Sequence, residues 1–175
     1  EPALGSILVA RQLPANGGDT WFANLRAAYD ALSPERQNLL APLRAVHSNV
    51  HIYGRDGYYR GTDLAGQLGG VDSVGEAVHP VVITHPRSGH RVLYVNPAHT
   101  IRIEGWSEAD SKLLLDELYA HVDQPQFTCQ FNWLPGSVAF WDNRSTWHFA
   151  QNDYQGESRL MHRITLAGSA LEGLG

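Results

Sequence analysis

The stretch FTCQFNWLPGSVAFW, residues 127–141, decides the reading of this chain. It sets two short runs rich in aromatic and aliphatic residues, Phe127 to Trp133 and Ser137 to Trp141, on either side of Pro135-Gly136. Runs of that length, bounded by turn residues, read as consecutive strands of an antiparallel sheet. Downstream, Arg159 to Ala167 reads as a further strand. Upstream, His79 to His85 and Arg91 to Asn96 flank Pro86-Arg87-Ser88-Gly89 as a hairpin, and Leu4 to Leu13 forms an aliphatic strand ended by Pro14-Ala15-Asn16-Gly17-Gly18-Asp19. Three helical segments fit between them. Phe22 to Ala31 places Phe22, Leu25, Ala28 and Tyr29 on one face. Ser33-Pro34-Glu35-Arg36 carries an N-cap and a proline at the first helical position and opens a helix to about Leu43. Ser107-Glu108-Ala109-Asp110 opens another with Leu113, Leu114, Leu118 and Tyr119 on its apolar side.

Strands dominate and the helices are peripheral, so the expected fold is mainly β, an antiparallel barrel or jelly roll with helices outside. The chain of 175 residues is one domain, 1–175, and 43% hydrophobic residues suffice for a core. Between positions 47 and 77 the sequence is rich in Gly, Tyr, Asp and Arg without a period, which predicts a long loop or lid excursion. Thirteen Lys and Arg against eighteen Asp and Glu give a net charge of −5, which argues against nucleic-acid binding through bulk positive charge. No apolar run is long enough for a membrane span, and the single Cys129 makes no internal disulfide, so a cytoplasmic protein is expected.

Chemistry-bearing residues gather late in the chain: Trp141-Asp142-Asn143-Arg144, Trp147-His148, then Arg159, Met161 and Arg163. Strand alternation puts Arg159, Met161 and Arg163 on one face, with the two guanidiniums roughly 13 Å apart along the backbone. If that face is interior, each arginine calls for an anion, because guanidinium grips carboxylate or sulfonate bidentately. The alternative is pairing with Asp142, Asp153 or Glu157, or exposure to solvent. His148 reads either as a hydrogen-bonded imidazole or as a metal ligand. His47 and His51 fall in the loop and are discounted. His121-Val122-Asp123 has the form of a metal-ligand triplet but ends a helix, where a histidine complements the helix dipole. Gly17-Gly18-Asp19-Thr20 reads as a tight turn whose Asp or Thr caps a helix. Cys129 has no partner cysteine, and no G-x-S-x-G is present.

Taken in order, Gly17-Gly18-Asp19-Thr20, Ala28-Tyr29-Asp30-Ala31-Leu32-Ser33, His79-Pro80-Val81-Val82, Thr84-His85-Pro86, Ser88-Gly89, Val95-Asn96, Thr100 to Ile103, Trp141-Asp142-Asn143-Arg144 with His148, and Arg159 with Met161-His162-Arg163 resemble the taurine dioxygenase family. That family comprises Fe(II)- and 2-oxoglutarate-dependent dioxygenases, including alkylsulfatases and aryloxyalkanoate dioxygenases. The resemblance implies a double-stranded β-helix (jelly roll) that uses Fe(II), 2-oxoglutarate and O₂ to hydroxylate a small anionic substrate, releasing succinate and CO₂. By the same resemblance, His148 is the distal metal-binding and catalytic histidine. Thr20 and Arg159 hold the remote carboxylate of 2-oxoglutarate, and Arg163 meets the anionic group of the substrate. Trp133, Trp141 and Trp147 are offered either as pocket walls or as core. The family's His-x-Asp/Glu motif is expected just upstream of Glu1, which makes the chain the C-terminal two-thirds of a dioxygenase barrel. A homodimer or homotetramer is also implied. Two rival readings are a non-catalytic anion-binding or scaffold domain of the same fold and a cupin-like metal isomerase or hydrolase.

Overall fold

The computed structural model describes residues 1–50 and 75–174. Eleven strands and three helices are formed by these residues: β1 (Gly5–Gln12), β2 (Thr20–Asn24), α1 (Leu25–Asp30), α2 (Pro34–Leu40), β3 (Arg44–Ser48), β4 (Glu76–Pro80), β5 (Val82–Thr84), β6 (Arg91–Leu93), β7 (Thr100–Ile103), α3 (Glu108–Val122), β8 (Thr128–Phe131), β9 (Val138–Asp142), β10 (Thr146–Ala150) and β11 (Leu160–Leu166). Four antiparallel sheets result, ordered β11-β1-β9, β10-β2-β8, β4-β3-β7 and β5-β6. The first two pack face to face to build the jelly roll. Between them lie Ala10, Trp133, Ala139 and Trp141, with Leu8, Phe22, Phe131 and Met161 packed alongside.

A second, larger core joins the remaining sheets to the helices. Leu25, Ala28 and Tyr29 of α1, Leu40 of α2, Val81, Val82 and Ile83 around β5, and Leu114, Leu115 and Leu118 of α3 all bury here. Truncating one of these leucines to alanine costs about 2–5 kcal/mol in a packed core.

Several sequence expectations shift in register. Phe22 belongs to β2 rather than to a helix, and α1 begins only after Asn24, whose side chain accepts from the Ala27 N–H. The expected face of Leu25, Ala28 and Tyr29 is real, whereas Phe22 points into the other core. No helix is capped by Asp19 or Thr20. α2 stops at Leu40, just before Pro42. On α3 the buried stripe is Ser111, Leu114, Leu115, Leu118 and Val122, while Leu113 is 72% exposed. Three consecutive leucines leave the helix face ambiguous in sequence, and only the position of the sheet decides it.

The single strand expected from His79 to His85 is two strands in two sheets. The break falls at Val81, whose N–H donates to the Leu43 carbonyl and whose carbonyl accepts from Tyr94. The excursion from 47 to 77 is shorter than expected, because His47 pairs with Ala77 and Ser48 with Glu76. Residues 51–74 of that segment lie outside the described residues. Strands β7 and β10 were not legible in the sequence.

Candidate functional site

The register of β11-β1-β9 fixes which side chains face inward. Leu8, in the core, pairs with Arg163 on one side and Ala139 on the other; Ser6 pairs with Trp141. Arg163 is therefore on the inner face, and its Nη2 donates to Ser6 Oγ at 2.8 Å. The opposite face carries Phe140 and Ile164, 62% and 60% exposed. Trp141 is the centre of the arrangement. The Arg163 guanidinium lies 5.7 Å from its ring, a cation–π distance, and the His148 ring lies 4.7 Å from it on the other sheet. Trp141 Nε1 donates to Asn143 Oδ1 at 2.8 Å, and Asn143 Nδ2 donates in turn to Ser6 Oγ at 3.3 Å. Ser6 and Asn143 thus hold the indole and the guanidinium in place, a role no sequence signal announced.

Arg159 packs on the Gly17-Gly18 turn, and Thr20 follows that turn two residues on. Both glycines have positive φ, +78° and +74°, and a Cβ on Gly18 would stand 3.0 Å from Arg159 Cδ and 3.1 Å from its Nε. Glycine at 18 is required by backbone conformation and by the approach of the arginine. Arg159 Nε donates to the Gly18 carbonyl at 3.0 Å, and its guanidinium lies 5.9 Å from the Tyr154 ring. Its Nη2 is buried and has no partner among the described residues. Thr20, 2% exposed, accepts at Oγ1 from Trp133 Nε1 at 3.0 Å.

The carboxylates that could have neutralised these arginines bond elsewhere. Asp153 accepts from the Gly18 N–H and Glu157 from the Ala15 N–H. Asp142 takes Arg144 on both oxygens, at 2.8 and 2.5 Å, and His85 Nε2 at 3.0 Å. A half-buried guanidinium with a buried, orphan Nη2 and no countercharge among the described residues fits a ligand carboxylate.

A cavity of about 680 Å³ adjoins the Trp141 cluster and is bordered by His47, Tyr94, Asn96, Trp147, His148 and Arg163. His148 reaches solvent through it. Desolvation, followed by the Arg163 charge and His99, lowers the His148 pKa to about 4, so the imidazole is neutral and its nitrogen lone pair available at neutral pH. His47, which the sequence reading discounted, belongs to β3 and borders the same cavity. Burial, then His79 and His99, lowers its pKa to about 4 as well. Burial pushes the Tyr94 hydroxyl up to about 12. Of the three tryptophans, Trp147 borders the cavity and donates to the Val95 carbonyl, while Trp133 and Trp141 belong to the small core.

Other candidates resolve into structure. His121 Nε2 donates to the Ala28 carbonyl at 2.8 Å, and the ring packs on Phe127 at 5.1 Å. Ser88 Oγ, His85 and Asp142 form a serine–histidine–aspartate chain, with Ser88 Oγ 3.1 Å from His85 Nδ1. The Ser88 backbone N–H bonds to the same Nδ1 at 3.2 Å, and Asp142 is neutralised by Arg144, so the chain ties the β5–β6 hairpin to the Asp142–Arg144 turn. Among the described residues no three His, Cys, Asp or Glu side chains converge to hold a metal. His148 offers one imidazole, and these residues alone do not form an iron site. No described helix is long and apolar enough to cross a membrane.

The fold and site define a jelly roll whose inner face presents an imidazole and a guanidinium, with a second guanidinium beside it, neither arginine paired to a carboxylate among the described residues. The chain belongs to the family described as "Taurine catabolism dioxygenase TauD, TfdA family", which it matches over residues 1–165. It is 40% identical over 174 residues to the alpha-ketoglutarate-dependent sulfate ester dioxygenase of Pseudomonas putida, covering 97% of this chain and 56% of that protein. It is 39% identical over 170 residues to the alkylsulfatase of Acinetobacter baylyi, covering 96% of this chain and 53% of the relative. The crystal structure of AAD-2 in complex with Mn(II) and N-oxalylglycine superposes with a TM-score of 0.83 at 34% identity, covering 99% of this chain and 66% of that one. The chain spans just over half the length of these two curated relatives.

Proposed function

We propose that the protein containing this chain is an Fe(II)- and 2-oxoglutarate-dependent dioxygenase that hydroxylates a small anionic organic substrate: a sulfonate, a sulfate ester or a carboxylate. The observation that carries the reading is the buried Nη2 of Arg159, a cationic donor with no partner among the described residues. Relatives named for sulfate esters and for alpha-ketoglutarate dependence support it. In this reading Arg159 and Thr20 hold the remote carboxylate of 2-oxoglutarate. Thr20 keeps its hydroxyl proton for that contact because Trp133 already donates to its oxygen. 2-Oxoglutarate, when bound, supplies two electrons through decarboxylation to succinate and CO₂.

Arg163 receives the anionic head of the primary substrate. Its guanidinium is fixed by Ser6 and by the Trp141 ring, so little side-chain freedom is lost on binding. His148 is the metal-binding and catalytic histidine of the proposal. Its place beside Trp141 keeps the imidazole near the arginine that positions the substrate. Arg163 belongs to β11 and Arg159 immediately precedes it, so one short segment of chain orients both anions. That division of labour is positional catalysis: reacting groups are held in register before any bond changes.

The test is substrate-dependent release of succinate from the full-length protein with Fe(II), 2-oxoglutarate and O₂, across a panel of alkyl sulfates, sulfonates and aryloxyalkanoates. Stoichiometric succinate with one of them is expected. Absence of succinate with every member, from folded protein that binds 2-oxoglutarate, would leave a non-catalytic anion-binding domain and refute the proposal.

A further inference from the structure

Beyond the two arginines, the cavity has a third polar feature. His47 sits on β3 with its ring 5.3 Å from that of His79 and 5.5 Å from that of Tyr94, and the latter two are 5.8 Å apart. On one edge of the imidazole, Nδ1 lies 3.2 Å from Thr100 Oγ1. That oxygen already accepts the Asn96 N–H at 2.8 Å, so its own proton is free to be donated, and His47 Nδ1 is the acceptor in reach. The proton of the neutral imidazole is then on Nε2. This nitrogen is buried and has no partner among the described residues. A buried N–H without an acceptor is an uncommon feature of native structures, because its lost hydration is not made good until something accepts from it.

We infer that His47 is a specificity residue whose Nε2–H donates to an uncharged oxygen of the primary substrate, an ether, hydroxyl or carbonyl lying away from the anionic head held by Arg163. The inference rests on the proposed function, which assigns that head to Arg163. Both side chains border the same cavity of about 680 Å³, large enough for a substrate of several carbons. A neutral acceptor suits the place better than a second anion. The imidazole is uncharged at neutral pH, and the cavity wall around it is made of the Tyr94 and His79 rings, which supply contact area without a full charge. Such a site prefers a substrate carrying the oxygen over its all-carbon counterpart, because only the former satisfies the buried donor.

The experiment compares heptyl sulfate with its three isosteres in which an oxygen replaces the third, fourth or fifth chain CH₂. Binding is measured by calorimetry in the presence of 2-oxoglutarate, to the wild-type chain and to His47→Phe and His47→Gln. His47→Phe keeps a ring to pack on His79 and Tyr94 but removes the donor; His47→Gln restores one. At least one oxa-isostere should bind the wild type about tenfold more tightly than heptyl sulfate, with the preference lost in His47→Phe and partly regained in His47→Gln. Wild-type protein binding all four equally, or a preference unchanged in His47→Phe, would overturn the inference. Long-range ¹H–¹⁵N spectra of the wild-type histidine rings give an independent reading that needs no variant. A proton on Nε2 of His47 is expected, and one on Nδ1 overturns it. 2-Oxoglutarate affinity in the same samples separates the two claims: if it is absent, the proposed function fails; if it is intact without an ether preference, only the role of His47 fails.

Discussion

Replacing Arg159 with alanine separates a ligand-holding arginine from a structural one. Among the described residues the side chain makes one hydrogen bond, Nε to the Gly18 carbonyl, and packs against Tyr154. Losing these costs roughly 1–2 kcal/mol. Removing the orphan Nη2 returns a comparable amount, about 1–3 kcal/mol, so the net change in ligand-free stability is near zero. With 2-oxoglutarate bound the balance is different. A carboxylate on a buried guanidinium loses about 2–5 kcal/mol when the arginine is truncated. Taking about 3 kcal/mol, Kd rises about 150-fold. At a ligand concentration of about 100 times the wild-type Kd, binding stabilises the wild type by about 2.7 kcal/mol and the variant by only about 0.3 kcal/mol. For a chain of this size that is a Tm rise of roughly 5–11 °C in the wild type and about 1 °C in the variant. Thermal unfolding with and without 2-oxoglutarate, backed by calorimetric Kd values, reads both halves of the argument. Equal ligand-induced shifts in the two proteins would refute it. So would a ligand-free variant that has already lost several kcal/mol, since Arg159 would then be a structural arginine.

Arg163→Ala should leave the Kd of 2-oxoglutarate within about twofold while weakening heptyl sulfate binding roughly tenfold to a hundredfold, the loss of one charge-assisted contact; equal effects on both ligands in calorimetry would contradict separate anion sites. Asp142→Asn should destabilise the fold by about 3–5 kcal/mol in urea unfolding, because Arg144, 2% exposed, then keeps its charge without a partner. Asp142 also sets an acid limit. Burial works to raise its pKa, but hydrogen bonds from Arg144 and His85 and the charge of Arg144 outweigh burial and bring it down to about 2 from an ordinary 3.8. Between those values the unfolded chain binds more protons, so the Asp142 contribution is complete above about pH 4 and falls by roughly 2 kcal/mol as the pH drops through 2. His47 titrates in a separate window, from 6.5 down to about 4, and a wild-type stability profile unchanged by Asp142→Asn below pH 4 would disprove the Asp142 contribution.

Sequence by itself determined the class of fold and which side chains of the last strand share a face. Both follow from local chemistry: Pro135-Gly136 and Ser88-Gly89 turn the chain, and the alternation that puts Met161 and Arg163 on one face survives in the folded register because a period of two is intrinsic to a strand. Residue identities in the last cluster and in Gly17-Gly18-Asp19-Thr20 also carried the resemblance that named His148, Thr20, Arg159 and Arg163. Where the sequence failed, the deciding contacts were distant. β10, which holds His148, reads Thr-Trp-His-Phe-Ala and has no clean alternation; it is a strand because β2 pairs with it across more than a hundred residues. Leu113 is turned to solvent because the sheet lies beneath Leu114 and Leu118. His47 looked like a loop residue, since its strand is built of small and polar side chains and is recruited by β4 and β7. Whether Arg159 and Arg163 would find a carboxylate was likewise a tertiary matter. Asp142, Asp153 and Glu157 are all near in sequence, yet each is committed to another donor, and that commitment leaves neither guanidinium with a carboxylate partner among the described residues.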